Sequence, residues 1–293
     1  MHRVLGPMMK LEVRVTRPLT WLGPAWAALC GAVASGWLTL SGENLLFLLI
    51  ALFLADVLWG TLWHLIAEGD WFVSSANWPA QVQEASLAAL PYTAPGSPSH
   101  RIFGRLGRMK AWWRAVFWPR LGPALLGLVV ALPLTLVLAI ILGQRVIILT
   151  SAALAIMVLA LIRARRHSVP PLSLRAILEM GLAWLAGHIA FGPLTLWSLL
   201  LATLYAVAYH SCLKLATNSE RRWLTLLKVS QGAVIALLIY LRQPVVAGVV
   251  GLLLLSQMLL QPFLDQGEVE LWYLRRTGPF LMAGMLLAAL AIR

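Results

Sequence analysis

Residues 121–144 read LGPALLGLVVALPLTLVLAIILGQ, with no Asp, Glu, Lys or Arg among them. A helix needs roughly 20 predominantly apolar residues to cross about 30 Å of hydrocarbon, so this segment alone can span a membrane. Pro18–Gly42, Met180–Leu213 and Gln243–Leu264 are equally free of charge. Within these stretches the unbroken runs Leu136–Leu142 and Val249–Leu255 lack the apolar/polar alternation of a transmembrane barrel strand, so the spans read as helices. The rest of the chain agrees. It is 60% hydrophobic and 12% charged over 293 residues, where soluble globules carry about 45–50% apolar and about 25% charged residues.

Cutting the chain at Pro, Gly and charge clusters predicts nine transmembrane helices, at about 19–40, 45–67, 122–142, 146–162, 174–191, 194–213, 225–241, 245–262 and 278–292. With a cytoplasmic N-terminus, all but Arg145, Arg242 and Arg293 of the 23 Lys and Arg fall on the cytoplasmic side. That bias is the positive-inside signature. It accounts for the formal charge of +12 and argues against a nucleic-acid partner. The partner it implies is the lipid bilayer. Cys30 and Cys212 lie inside predicted spans and form no metal-binding or redox motif. The first span follows Arg3, Lys10, Arg14 and Arg17 but is too long for a signal peptide and reads as a retained helix. The expectation is a multi-pass protein of the cell inner membrane, one domain over 1–293.

One connection stands out. From Glu68 to Arg120 the chain runs about fifty residues between spans, a length that is usually functional or disordered. Segment 68–121 is therefore expected to be a long cytoplasmic loop. Its end, Arg101–Arg120, interleaves basic residues with Trp112, Trp113, Phe117 and Trp118, which predicts an interfacial helix.

A charge near mid-membrane costs roughly 2.5–3.5 kcal/mol on insertion scales, which makes Asp56 a functional candidate. On a helix it shares a face with Trp59, Gly60, Trp63, His64 and Ala67, predicting a cavity wall with one carboxylate, one imidazole and two indoles. Packing against a neighbouring helix is the other reading of the same face. His188 and His210 read as hydrogen-bonded packing residues, and Glu179 as an acid near the start of the fifth helix.

Three separated segments carry a family resemblance. Arg17–Gly36, RPLTWLGPAWAALCGAVASG, resembles the K/R-P-x-T-W-x-x-P-x-W-A-x-x-C-G pattern in the first helix of the chlorophyll and bacteriochlorophyll synthases of the UbiA prenyltransferase superfamily. Residues 202–206, ATLYA, followed by His210, are similar to that family's sixth helix, which adds Tyr205 and His210 to the cavity candidates. Trp272-Tyr273, Thr277-Gly278, Gly284-Met285-Leu286 and the final AALAIR resemble its last helix. The resemblance implies an all-α bundle of nine transmembrane helices around a cytoplasm-facing central cavity. It also implies transfer of an isoprenyl tail from its diphosphate to the propionate of a chlorophyllide, with Mg²⁺ held by Asp-rich segments after helices 2 and 6.

Both segments are degenerate here. After helix 2, Gly69-Asp70-Trp71-Phe72-Val73-Ser74 stands where the family has N-D-x-x-D-R, keeping one acid. Asn77-Trp78-Pro79 stands where it has N-E-P, and Pro98-Ser99-His100-Arg101-Ile102 resembles its P-S-G-R-I. After helix 6, Ser219-Glu220-Arg221 stands where it has G-D-R. The resemblance leaves Asp70 and Glu220 as catalytic and metal candidates, enough for at most one Mg²⁺. It leaves Arg101, Arg221 and Arg222 to bind a diphosphate or another anion. The expectation is a non-catalytic or weakly active relative that binds a chlorin, an isoprenoid or both, serving a photosynthetic or pigment-synthesis complex. The alternatives are an active prenyltransferase, and a transporter or structural subunit of a photosynthetic membrane assembly.

Overall fold

The computed structural model describes residues 23–39, 41–69, 71, 106–107, 109–110, 112–167, 171–217, 220–261 and 270–293, and every regular element among them is helical. These are α1 (Pro24–Ala34), α2 (Gly42–Ala67), α3 (Trp118–Leu142), α4 (Gln144–His167), α5 (Leu172–Phe191), α6 (Leu196–Thr217), α7 (Arg221–Tyr240), α8 (Pro244–Leu259) and α9 (Glu270–Ala291). Among the described residues, six helices, α2 to α7, are long and apolar enough to cross a membrane. α1 and α8 are shorter apolar helices. Large apolar side chains such as Ile140, Ile148, Leu252 and Val245 point outward, as lipid-facing residues do. This is a multi-pass helical membrane protein.

Local chemistry sets the helix ends, and in places it departs from the sequence reading. α1 starts on Pro24, whose missing N–H costs nothing in a first turn. It stops at Ala34, well short of residue 40, because Gly36 adopts φ +75° and turns the chain outward. The Ser41 hydroxyl caps α2 by accepting from the Asn44 amide at 3.3 Å. α9 begins at Glu270 and runs through Gly278 and Pro279, which the sequence reading took as its start. Tyr273 and Leu274 are buried, and the Tyr273 hydroxyl donates to the Gln257 carbonyl on α8. That packing outweighs the one backbone bond a proline removes. Trp112–Phe117, expected in an interfacial helix, continue directly into α3 through a π turn at Trp113–Phe117.

Helix contacts follow side-chain size. α1 lies along α5 so closely that a Cβ on Gly31 would sit 1.9 Å from the Trp184 carbonyl oxygen, and one on Gly187 1.8 Å from that of Ala28. Lipid supplies no hydrophobic drive between helices, so small residues that allow backbone approach carry such an interface. α5 packs on α6, α6 on α7, α7 on α8 and α8 on α9, and α9 returns to α1. α2, α3 and α4 form a second group against α1 and α5. His188 is the packing residue expected of it. Its Nε2 donates to the Pro193 carbonyl at 2.9 Å, its Nδ1 accepts from Ser198 Oγ at 3.0 Å, and Ser198 in turn accepts from Trp184 Nε1 at 2.8 Å.

Candidate functional site

α2, α5, α6 and α7 bring their polar residues together at one end of the bundle, where α2 and α6 finish and α5 and α7 begin. α2 and α5 each contain a π turn, Phe53–Leu58 and Ile177–Leu182, and each turn carries one acid, Asp56 and Glu179. Such turns open the helical hydrogen-bond ladder and cluster at functional sites. Asp56 is partly buried, while Glu179 is 3% exposed.

The centre of this end is a chain of charged groups. Glu179 accepts from Arg175 Nε at 3.1 Å and from the Tyr209 hydroxyl at 2.7 Å. Arg175 also reaches Glu68, just past the end of α2, at 3.7 Å. Glu68 further accepts from Trp63 Nε1 at 3.1 Å and from His64 Nδ1 at 2.8 Å. Burial pushes the Glu68 carboxyl up. His64, Arg175 and Trp63 stabilise its charged form by more than that, and together they hold it below its ordinary range. Beyond Glu68, the Trp71 indole folds back to donate to the Leu65 carbonyl at 2.7 Å. Gly69 makes room for it, since a Cβ there would lie 2.6 Å from both groups.

A second cluster closes the α6–α7 junction. The Trp223 ring has Arg222 Cζ at 5.1 Å and Lys214 Nζ at 5.6 Å from its centre, and the His210 ring edge-on at 5.4 Å. His210 Nδ1 is buried with no hydrogen-bond partner among the described residues. Glu220, at the start of α7, is paired with Arg222, and both are exposed.

The sequence-selected residues are thus distributed unevenly. Asp70 and Arg101 lie outside the described residues. Trp59 and Trp63 are buried, whereas His64 is exposed and turns to Glu68 rather than towards Asp56. Tyr205 lies elsewhere, stacked on Trp184 at 5.9 Å and lining a cleft with Gln231 and Gln257. Glu68, Arg175 and Tyr209 were missed by the sequence reading. The signal for the first two was present, since His64/Glu68 and Arg175/Glu179 each stand four residues apart on a helix.

The described donors do not fit a Mg²⁺ centre. Glu68 is held by three protein donors, and Glu220 is an exposed acid paired through one oxygen with Arg222, so neither by itself supplies the near-octahedral oxygen ligation that Mg²⁺ wants. Among the described residues, no three His, Cys, Asp or Glu side chains converge as ligands. The arrangement is a hydrogen-bonded polar network of two acids around one arginine, with cations at the α6–α7 edge.

Over 311 aligned positions the chain is 28% identical to the bacteriochlorophyll synthase 34 kDa chain of Chloroflexus aurantiacus, covering 96% of this chain and 89% of that one. The resemblance seen in three sequence segments is thereby borne out along almost the whole length. No protein-family model matches the chain. No solved structure matches it either.

Proposed function

We propose that this chain, a membrane protein similar to a bacteriochlorophyll synthase, is a relative that holds a chlorin, an isoprenoid or both without joining them. Prenyl transfer requires the departing diphosphate to be stabilised as the carbon–oxygen bond breaks, and in this family type acids recruit Mg²⁺ for that task. The observation that carries the reading is Arg175. It fills the space between α2 and α5 with a cation fixed in the chain itself, drawing Glu68 and Glu179 onto it. A carboxylate so engaged is a poor metal ligand, because binding an ion would first break its charge-assisted hydrogen bonds. In this reading the nine helices span the inner membrane with the N-terminus in the cytoplasm. The charged end then faces the cytoplasm as the mouth of the cavity, Arg221 and Arg222 attract anionic groups, and the pigment or isoprenoid is passed to a pigment-synthesis or photosynthetic assembly.

The near-full-length similarity favours a second reading, an active prenyltransferase in which Asp70 and Glu220 hold one Mg²⁺. One experiment separates the two. The purified protein is given chlorophyllide or bacteriochlorophyllide, geranylgeranyl or phytyl diphosphate, and Mg²⁺, and the pigment is followed by absorption and mass spectrometry. We expect retained chlorin and no ester. A Mg²⁺-dependent ester that is lost in Asp70→Asn would establish the enzyme instead.

A further inference from the structure

α3 is longer than its apolar span. Leu121–Leu142 already covers the hydrocarbon at about 1.5 Å per residue, and the helix continues back through Trp118 and the π turn to Trp112. At that rise Trp118 stands roughly 5 Å and Arg114 roughly 10 Å beyond Leu121. The headgroup layer is about 5–8 Å deep on each side, and a long basic side chain reaches back into it. Trp113 stacks on Phe117 with ring centroids 4.2 Å apart and lies 6.5 Å from Trp118. Even so, Trp113 and Trp118 remain 44% and 47% exposed. Lys110 and Arg114, next to this stack in the chain, are exposed and have no acidic partner among the described residues. Elsewhere at this end of the bundle Arg175 is paired with Glu68 and Glu179, and Arg222 with Glu220. The neighbouring sequence offers α3 no such acid, because from Ala85 to Leu178 there is no Asp or Glu while Lys and Arg recur throughout.

We propose that the start of α3 binds the headgroup of an anionic phospholipid, with Lys110 and Arg114 on the phosphate and Trp113 and Trp118 at the glycerol and carbonyl level. Charge and depth select this class together. A cation near the headgroup layer favours a lipid of net negative charge by roughly fivefold per residue. A zwitterionic lipid brings its own cation and gains less. An exposed indole prefers the same layer, since its ring is apolar and its N–H seeks an acceptor such as an ester carbonyl. Dissolved phosphate would meet the cations but leave the indoles uncovered. Without the cations the aromatic stack would anchor α3 in any bilayer, and without the stack the cations would be an ordinary positive loop. Both leaflets have a headgroup layer, so the site serves either orientation of the bundle and is independent of whether the chain catalyses prenyl transfer.

The test uses the full chain in a non-ionic detergent with tritiated dioleoyl phosphatidylglycerol and dioleoyl phosphatidylcholine as probes. Phosphatidylglycerol is expected to bind roughly tenfold more tightly at low salt, and the preference should shrink as salt rises. Lys110→Gln/Arg114→Gln should abolish the preference. Arg275→Gln/Arg276→Gln removes two exposed cations of α9 at the same end of the bundle and should leave it intact. Sodium phosphate should displace phosphatidylglycerol no better than sodium chloride of equal ionic strength. Equal binding of the two lipids by the unmodified protein overturns the proposal and needs no variant to fold. An equal loss of preference in both double variants overturns it too, by reducing the effect to overall charge. Specific displacement by phosphate does the same, by making the site one for a free anion.

Discussion

At the scale of single residues, the Glu68–Arg175–Glu179–Tyr209 chain holds two acids against one arginine at the edge of an apolar bundle. Removing one partner of a buried ion pair leaves an uncompensated charge, at about 3–5 kcal/mol when burial is complete. Arg175 retains 27% side-chain exposure, so Arg175→Gln is expected to cost about 2–3 kcal/mol, read as a lower melting temperature in detergent. Tyr209→Phe removes a single donor from Glu179 and should cost about 1–2 kcal/mol. The double variant Arg175→Gln/Glu179→Gln should recover part of the arginine loss; no recovery would mean the pair is not coupled. Glu68 adds a pH signature. Its folded pKa is depressed, so its stabilisation is fully present above the ordinary carboxylate value and fades as pH falls through the folded one. With a third of its side chain exposed, Glu68→Gln should cost no more than about 1 kcal/mol at neutral pH. Melting curves of the two proteins should converge on acidification, and a constant offset would contradict the assignment.

At the scale of elements, the α1–α5 contact depends on two glycines for close approach of backbones rather than for conformational freedom. Gly187→Ala places a methyl group 1.8 Å from a carbonyl oxygen that cannot rotate away, so the helices must separate. Overpacking of this kind costs about 1–3 kcal/mol and sometimes more. Gly232, in α7, has nothing within 4 Å of its would-be Cβ. There the same substitution is expected to be neutral or stabilising by up to about 1 kcal/mol, because alanine is the better helix former. Comparing the two melting temperatures checks the reading. Similar shifts would show that propensity, not approach, governs both sites.

At the scale of the whole molecule, charge decides how the bundle sits in a membrane. Arg163, Arg175, Lys214, Arg221, Arg222, Lys228, Arg275 and Arg276 gather at the end where α4 and α6 finish and α5, α7 and α9 begin, while Arg145, Arg242 and Arg293 mark the other end. Positive loops remain on the cytoplasmic side during insertion. Cys30 and Cys212 are buried, so single cysteines can be introduced after both are replaced by alanine. A membrane-impermeant maleimide should label Gln243→Cys in intact cells and Glu220→Cys only once the cells are opened. Reversed labelling would invert the orientation.

The sequence by itself determined that this is a helical membrane protein and located most of its helices to within a few residues. Uninterrupted apolar length is a local property, and hydrocarbon leaves backbone groups no partner outside a helix or a closed barrel. The same one-dimensional reading found Asp56, Glu179 and His210, because polar residues stand out inside apolar runs, and the resemblance to a known sixth helix added Tyr205. Only the tertiary structure decided what they meet. Arg175 lies over a hundred residues from Glu68 in the chain, and no spacing reveals that α5 brings it to the end of α2. α9 runs through Gly278 and Pro279 because Tyr273 packs on α8, a gain that propensity does not contain. Gln231 and Gln257, uncharged, were passed over in a search guided by charge. Their pairing arises where α7 and α8 pack together, since two amides hydrogen-bond only when a fold has placed them 3.0 Å apart.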